Sequence, residues 1–128
     1  MSIRVVVAEL EQNNSYLLTQ RLATATLPLL WEFPGGRVRE GEEPEAALHR
    51  ALSFRIGAKV DIQEKLMEHT HHYDGYDVTL IVFRTVLCSD VQALNVEDVR
   101  WVSLEEIHTY NFPQADQETM DLLLQDGN

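Results

Sequence analysis

The run GGRVREGEEPEAALHRALSFRIGA, residues 35–58, gathers most of the residue types in this chain that could do chemistry. Gly35 and Gly36 leave the backbone free for positive φ or for close approach to a ligand such as a phosphate oxygen. Glu40, Glu42 and Glu43 are hard oxygen donors of the kind that bind divalent cations. Arg55 carries a planar guanidinium able to hold a phosphate by two parallel hydrogen bonds. A blander reading of the same residues is a sharp loop-to-helix connection, in which Glu42 complements the helix dipole and Arg55 pairs with Glu40 or Glu43. A second constellation is EHTHHYD, where strand alternation sets His69 and His71 on one face with Asp74 nearby in the turn. Two such imidazoles could take zinc or another transition metal, although a histidine-rich hairpin tip has the same appearance.

Those groups need elements to hold them. IRVVVAEL alternates Ile3, Val5 and Val7, EQNNS is a polar turn, and YLLTQRL reads as a second strand, so the N-terminus predicts a hairpin. ATATLPLLWEFPGG, with two prolines, reads as a loop. Pro44 suits the first turn of a helix, Glu42, Glu43 and Glu45 suit its positive end, and Gly57 suits its stop. Leu48 and Leu52, four apart, should face a core. Asp74-Gly75 is a strong turn signal between KVDIQEKLMEHTHHY and YDVTLIVFRTVLC and predicts a long antiparallel pair. VRWVSL is a further strand, Ser103 and Glu106 form a capping box for a short helix at LEEIHTY, and QETMDLLLQ reads as a last helix. Strand pairs separated by one helix and closed by another predict an α+β fold, an α/β/α sandwich with a mixed sheet between helices.

Size and charge narrow the function classes. A chain of 128 residues is the usual length of a single domain, expected to span residues 1–128. Its net charge of −11 repels polyanions, which argues against duplex nucleic acid as a partner. The sequence has no apolar run long enough to cross a bilayer, and its one cysteine, Cys88, suits a reducing compartment, so a soluble, cytoplasmic protein is expected. Exposed strand edges and an acidic surface are compatible with a monomer or a homodimer.

The spacing Gly36, five residues, Glu42, seven residues, Arg50, and Gly57 seven further on resembles the Nudix box, G-x5-E-x7-R-E-U-x-E-E-x-G-U. WEFPGG before it, and YLLTQR, YDVTLIVF, RWVSL and NFPQAD around it, are similar to MutT-type members of the Nudix family, which clear oxidised guanine nucleotides. The resemblance covers most of the chain and implies the Nudix fold. It implies that Arg50 braces the loop through a carboxylate, that Arg21 lies near a nucleotide phosphate and that Phe33 lines the pocket. It also implies that Asp116 stands where such proteins read the guanine edge with an asparagine. An ionised carboxylate there only accepts hydrogen bonds, so purine recognition could persist through the N–H donors of guanine while preference for an oxidised base is no longer implied, and Asp116 equally suits the N-cap of the last helix. Trp31 and Trp101 could stack on a base, but aromatic residues at strand ends usually belong to the core.

The departures from the family pattern weigh as much as the agreement. The three glutamates of R-E-U-x-E-E, which bind Mg2+ or Mn2+ from one helix face, are replaced here by Ala51, Phe54 and Arg55. A later acidic position is occupied by Arg100. The expectation is a degenerate Nudix box with no metal at the helix and no cofactor: a Nudix-fold protein related to nucleoside triphosphate or nucleoside diphosphate-X pyrophosphohydrolases, impaired in catalysis and acting as a nucleotide-binding or regulatory domain. The alternatives are an active MutT-like pyrophosphohydrolase that recruits Mg2+ or Mn2+ through Glu40, Glu42, Glu43 or the histidines, and a protein-interaction module. The site residues expected to meet a nucleotide or nucleoside diphosphate derivative are Arg21, Phe33, Gly35, Gly36, Arg55 and Asp116, on the scaffold of Gly36, Glu42, Arg50 and Gly57.

Overall fold

The computed structural model describes residues 2–111. Asp116 and the last helix expected from QETMDLLLQ lie outside the described residues. The first strand, β1 (Ser2–Gln12), is the spine of the fold. It pairs in parallel with β6 (Tyr76–Leu87) from Ser2↔Asp77 to Leu10↔Thr85. On its other edge, Val5–Val7 pair antiparallel with β4 (Gly35–Arg37). Beyond β6 runs β5 (Val60–Tyr73), antiparallel and joined to it by the Asp74-Gly75 turn that the sequence predicted. The sheet is therefore mixed, as expected.

The N-terminal hairpin differs from its expectation. Asn13 and Asn14 form its two-residue turn, both left-handed, a conformation asparagine tolerates better than most residues. Only Glu11↔Tyr16 and Gln12↔Ser15 then pair. Both edges of β1 are already occupied over Val5–Val7, so β2 (Ser15–Gln20) diverges and pairs instead with β7 (Asp98–Ser103) and with β3 (Trp31–Glu32).

The segment expected to be one loop, residues 23–36, thus contains β3 and the start of β4. Trp31 buries its indole, and Gly35 and Gly36 run so close to β1 that they join its ladder. Neither glycine has a positive φ. Close approach is what they supply: a Cβ on Gly35 would overlap the Val6 carbonyl.

The helix α1 (Pro44–Ile56) has the expected bounds, with Pro44 in its first turn. Glu43 is its N-cap and Glu45 lies in the first turn, whereas Glu42 precedes the helix and is engaged elsewhere. Gly57 ends it in a left-handed conformation at φ 64°. Ala47, Leu48, Leu52 and Ile56 are fully buried against Val6, Ala8, Leu10, Leu17, Ile81 and Phe83. At about 1.5–3 kcal/mol for each large apolar side chain, this face anchors the helix to the sheet. The alternate residues of the same strands, Val7, Leu80 and Val82, point the other way, into a second cluster with Leu18, Trp31, Phe33 and Ile107.

The helix expected at LEEIHTY is a single 3-10 turn, Ile107–Thr109. Ser103 Oγ accepts the Glu106 N–H at 3.3 Å, as in the first half of a capping box, but only Ile107 is buried to hold a longer helix down. No helix among the described residues is long and apolar enough to cross a membrane.

Candidate anion cleft beside the helix

The loop leading into α1 is braced by one ion pair. Arg50 donates from Nε to Glu42 Oε2 and from Nη2 to Glu42 Oε1, both at 2.9 Å, and Nη2 also donates to the Arg37 carbonyl at 2.8 Å. The Arg39 N–H adds a bond to Glu42 Oε1 at 3.0 Å. These donors, the Arg50 guanidinium first, hold the Glu42 carboxyl down to about 2. The pair ties helix to loop across eight residues, the bracing expected of Arg50. Both oxygens of Glu42 thus already accept hydrogen bonds within the protein, which makes this carboxylate a structural partner of the loop.

Ala51, Phe54 and Arg55 do fall on one face, as their i, i+3, i+4 spacing requires. They line a cleft of about 330 Å³ with Gly36, Arg37, Arg39 and Arg50. Its floor is tight, because a Cβ on Gly36 would come within 2.8 Å of the Ala51 Cβ. Among the described residues the lining contains four guanidiniums and no carboxylate. Four of the chain's ten basic side chains thus meet in one cleft of a protein with 21 acidic ones.

This donor set does not fit Mg2+ or Mn2+. Hard cations need several oxygen ligands, and the three family positions supply a methyl, a phenyl and a cation. Among the described residues no group of three or more His, Cys, Asp and Glu side chains is arranged to hold a metal ion. His69 and His71 share a face of β5, as alternation predicts, opposite Leu80 and Val78, and the His71 ring packs 4.4 Å from Tyr73. His72 instead meets Asp77 at 2.7 Å.

Arg55 meets neither Glu40 nor Glu43, the glutamates named in the blander reading; the carboxylate it approaches is Glu32. Arg55 Nη1 stands 3.8 Å from Glu32 Oε1, and Arg21 Nη1 stands 3.1 Å from the same atom and 3.3 Å from Oε2. Burial pushes the Glu32 carboxyl up, against the pull of Arg21 and then Arg55. Glu32 was missed in the sequence, although a lone acid between Trp31 and Phe33 is a signal that something must compensate it. Arg37 and Arg39 were missed too; they flank buried Val38 in strand-like alternation, which turns both outward.

A second cavity, of about 260 Å³, lies on the far side of Phe54 and Arg55, where Arg21, Glu32 and Asn95 meet Leu22 and Val96. Arg21 is therefore near the cleft, but its guanidinium is committed to Glu32 and to the Thr26 carbonyl. Phe33 is buried in the second cluster, its ring edge-on to Tyr16. Arg100 sits on β7, bound to Asp98 at 2.9 Å and over the Trp31 ring, outside the cleft. Trp31 is core, as expected, but Trp101 is 39% exposed and is not.

The fold has known counterparts. The family model described as NUDIX domain matches residues 5–122. The chain is 31% identical to the CTP pyrophosphohydrolase of Escherichia coli K12 over 115 residues, 89% of this chain and 85% of that protein. It superposes on the solution structure of the E. coli ORF135 protein with a TM-score of 0.84 at 29% identity, covering 97% and 89% of the two chains. The crystal structure of the MutT protein from Methanosarcina mazei Go1 shares the fold, with a TM-score of 0.83 at 22% identity over 99% and 95%.

Proposed function

The chain belongs to the NUDIX domain family, and from that premise we propose that it binds a nucleotide or nucleoside diphosphate derivative and is impaired in the family's hydrolysis. The observation that carries this reading is the replacement of the three helix carboxylates by Ala51, Phe54 and Arg55, side chains that share one cleft. In active members a divalent cation offsets phosphate charge and lowers the pKa of the attacking water. A guanidinium can do the first of these and not the second, so the cleft retains a means of binding and loses a means of generating the nucleophile. Binding without turnover suits a receptor or regulatory role. A cytoplasmic setting, where nucleotides are met and Cys88 stays reduced, goes with this reading, as does a monomer or a homodimer.

The second reading is an active pyrophosphohydrolase, favoured by similarity to the CTP pyrophosphohydrolase over 89% of this chain. One assay separates the two. The protein is incubated with Mg2+ or Mn2+ and a panel of nucleoside triphosphates, CTP included, and of diphosphate-linked nucleosides, while binding is followed by thermal shift. Saturable stabilisation by a panel member, with turnover far below about 1 per second, supports the receptor. Turnover at or above that rate sinks it and establishes the enzyme. If no compound shifts the melting temperature or is turned over, the protein-interaction module replaces both.

A further inference from the structure

We propose that the cleft between β4 and α1 is a metal-independent diphosphate site, in which Arg37, Arg39 and Arg55 take over the charge neutralisation that a divalent cation performs in the family. The inference rests on the receptor reading above and specifies the chemical group that this site holds and the side chains that hold it.

Three observations carry it. The cleft, about 330 Å³, has room for a diphosphate, and its lining among the described residues, Gly36, Ala51, Phe54 and four arginines, contains no carboxylate. The four arginines are not equivalent. Arg50 is committed to Glu42 and to the Arg37 carbonyl, whereas among the described residues no carboxylate lies within ion-pair distance of Arg37 or Arg39. Among the described residues Arg55 has only the loose 3.8 Å approach to Glu32, a carboxylate that Arg21 already holds at 3.1 Å. Three guanidiniums therefore keep donor capacity for a ligand, and each can present two parallel N–H groups to a pair of phosphate oxygens.

The surroundings argue for a site rather than a chance patch. The net charge of −11 would scatter a few surface arginines among acids, yet these three face a common cavity in whose lining, among the described residues, no carboxylate stands. Such a concentration costs self-repulsion in the free protein and relieves it on binding an anion. Gly36 and Ala51 keep the floor low, with no Cβ on the one and a single methyl on the other, so the anion can settle between strand and helix. Glu32 sits behind Arg55 as a built-in competitor, a carboxylate that a ligand must outbid for the same guanidinium.

The test is calorimetric titration of the full chain in excess chelator with inorganic pyrophosphate, with a nucleoside diphosphate and with inorganic monophosphate. Pyrophosphate and the nucleoside diphosphate should both bind without metal, at least tenfold more tightly than monophosphate. Equal affinity for the first two identifies the free diphosphate as sufficient, and tighter nucleoside diphosphate binding adds a contact to the nucleoside. Arg39→Gln and Arg55→Ala should each weaken both by about tenfold, one charge-assisted contact. Arg84→Ala, outside the cleft, should leave them unchanged. Arg39 is exposed, so its variant keeps the test decisive even if Arg55→Ala disturbs folding through Glu32. Binding that requires Mg2+, absence of binding in chelator, or wild-type affinity in Arg39→Gln with a native melting curve overturns the proposal. A nucleotide that still binds after both substitutions would remove this site while leaving the receptor reading intact.

Discussion

Arg55 on α1 and Glu32 on β3 stand 3.8 Å apart in the lining of the second cavity, with Arg21 bound to the same carboxylate. Where the family helix presents an anion to a metal, this one presents a cation to a buried carboxylate. The sign of the helix face is inverted, and its partner is inverted with it.

Glu32→Ala should destabilise the fold. It strands two guanidiniums that remain a quarter to a third exposed, so the cost is a moderate ~1–2 kcal/mol rather than that of a fully buried pair. Urea denaturation checks this at pH 7. Glu32→Gln, which keeps hydrogen-bonding capacity but frees Arg55 of a counter-charge, should tighten pyrophosphate binding by about threefold or more, as expected for unit charges near a protein surface.

Glu42 sets an acid limit on the loop. Its folded-state carboxyl is lowered to about 2 from 4.5, so the folded protein binds fewer protons at this group than the unfolded chain does. Its stabilisation is complete above about 4.5 and is lost as pH falls from there toward 2. Glu42→Gln should therefore be less stable than the parent protein at pH 7, and the gap should close across that window. A gap of constant size from pH 6 to pH 2.5 would show that the Arg50 pair is not its source.

Restoring the acids is the converse experiment. Ala51→Glu, Phe54→Glu and Arg55→Glu together place three carboxylates on a face that already converges on the cleft. The triple variant should gain Mg2+-dependent release of pyrophosphate from a nucleoside triphosphate, by about 100-fold or more over the parent chain, the several kcal/mol that a bound cation contributes. It should also lose pyrophosphate binding in chelator.

The floor of the cleft is sterically closed. Gly36→Ala sets a new methyl 2.8 Å from the Ala51 Cβ, so strand and helix must separate. The expected cost is about 1–3 kcal/mol in thermal denaturation, together with weaker anion binding. Phe54→Ser, at a side chain 62% exposed, should change stability by less than about 0.5 kcal/mol.

The sequence by itself determined the helix, the long hairpin and the family. Pro44, the Leu48/Leu52 spacing and Gly57 act within a few residues of one another, and Asp74-Gly75 closes a turn whose two strands follow directly. That Ala51, Phe54 and Arg55 share one helix face was equally legible, because their i, i+3, i+4 spacing fixes it whatever surrounds it. Only the tertiary structure decided what stands in their place. Parallel pairing of β1 with β6, seventy-five residues apart at Val5↔Leu80, occupies one edge of β1 and β4 occupies the other, which sends β2 to β7 and β3 and so carries Glu32 to Arg55. The separate ladder of β4 on β1 sets Arg37, and Arg39 just beyond it, at the mouth of the cleft beside the helix. Local patterns specify which face of an element is polar; which distant face it meets depends on strand pairing, and that pairing is where this chain assembles its cluster of arginines.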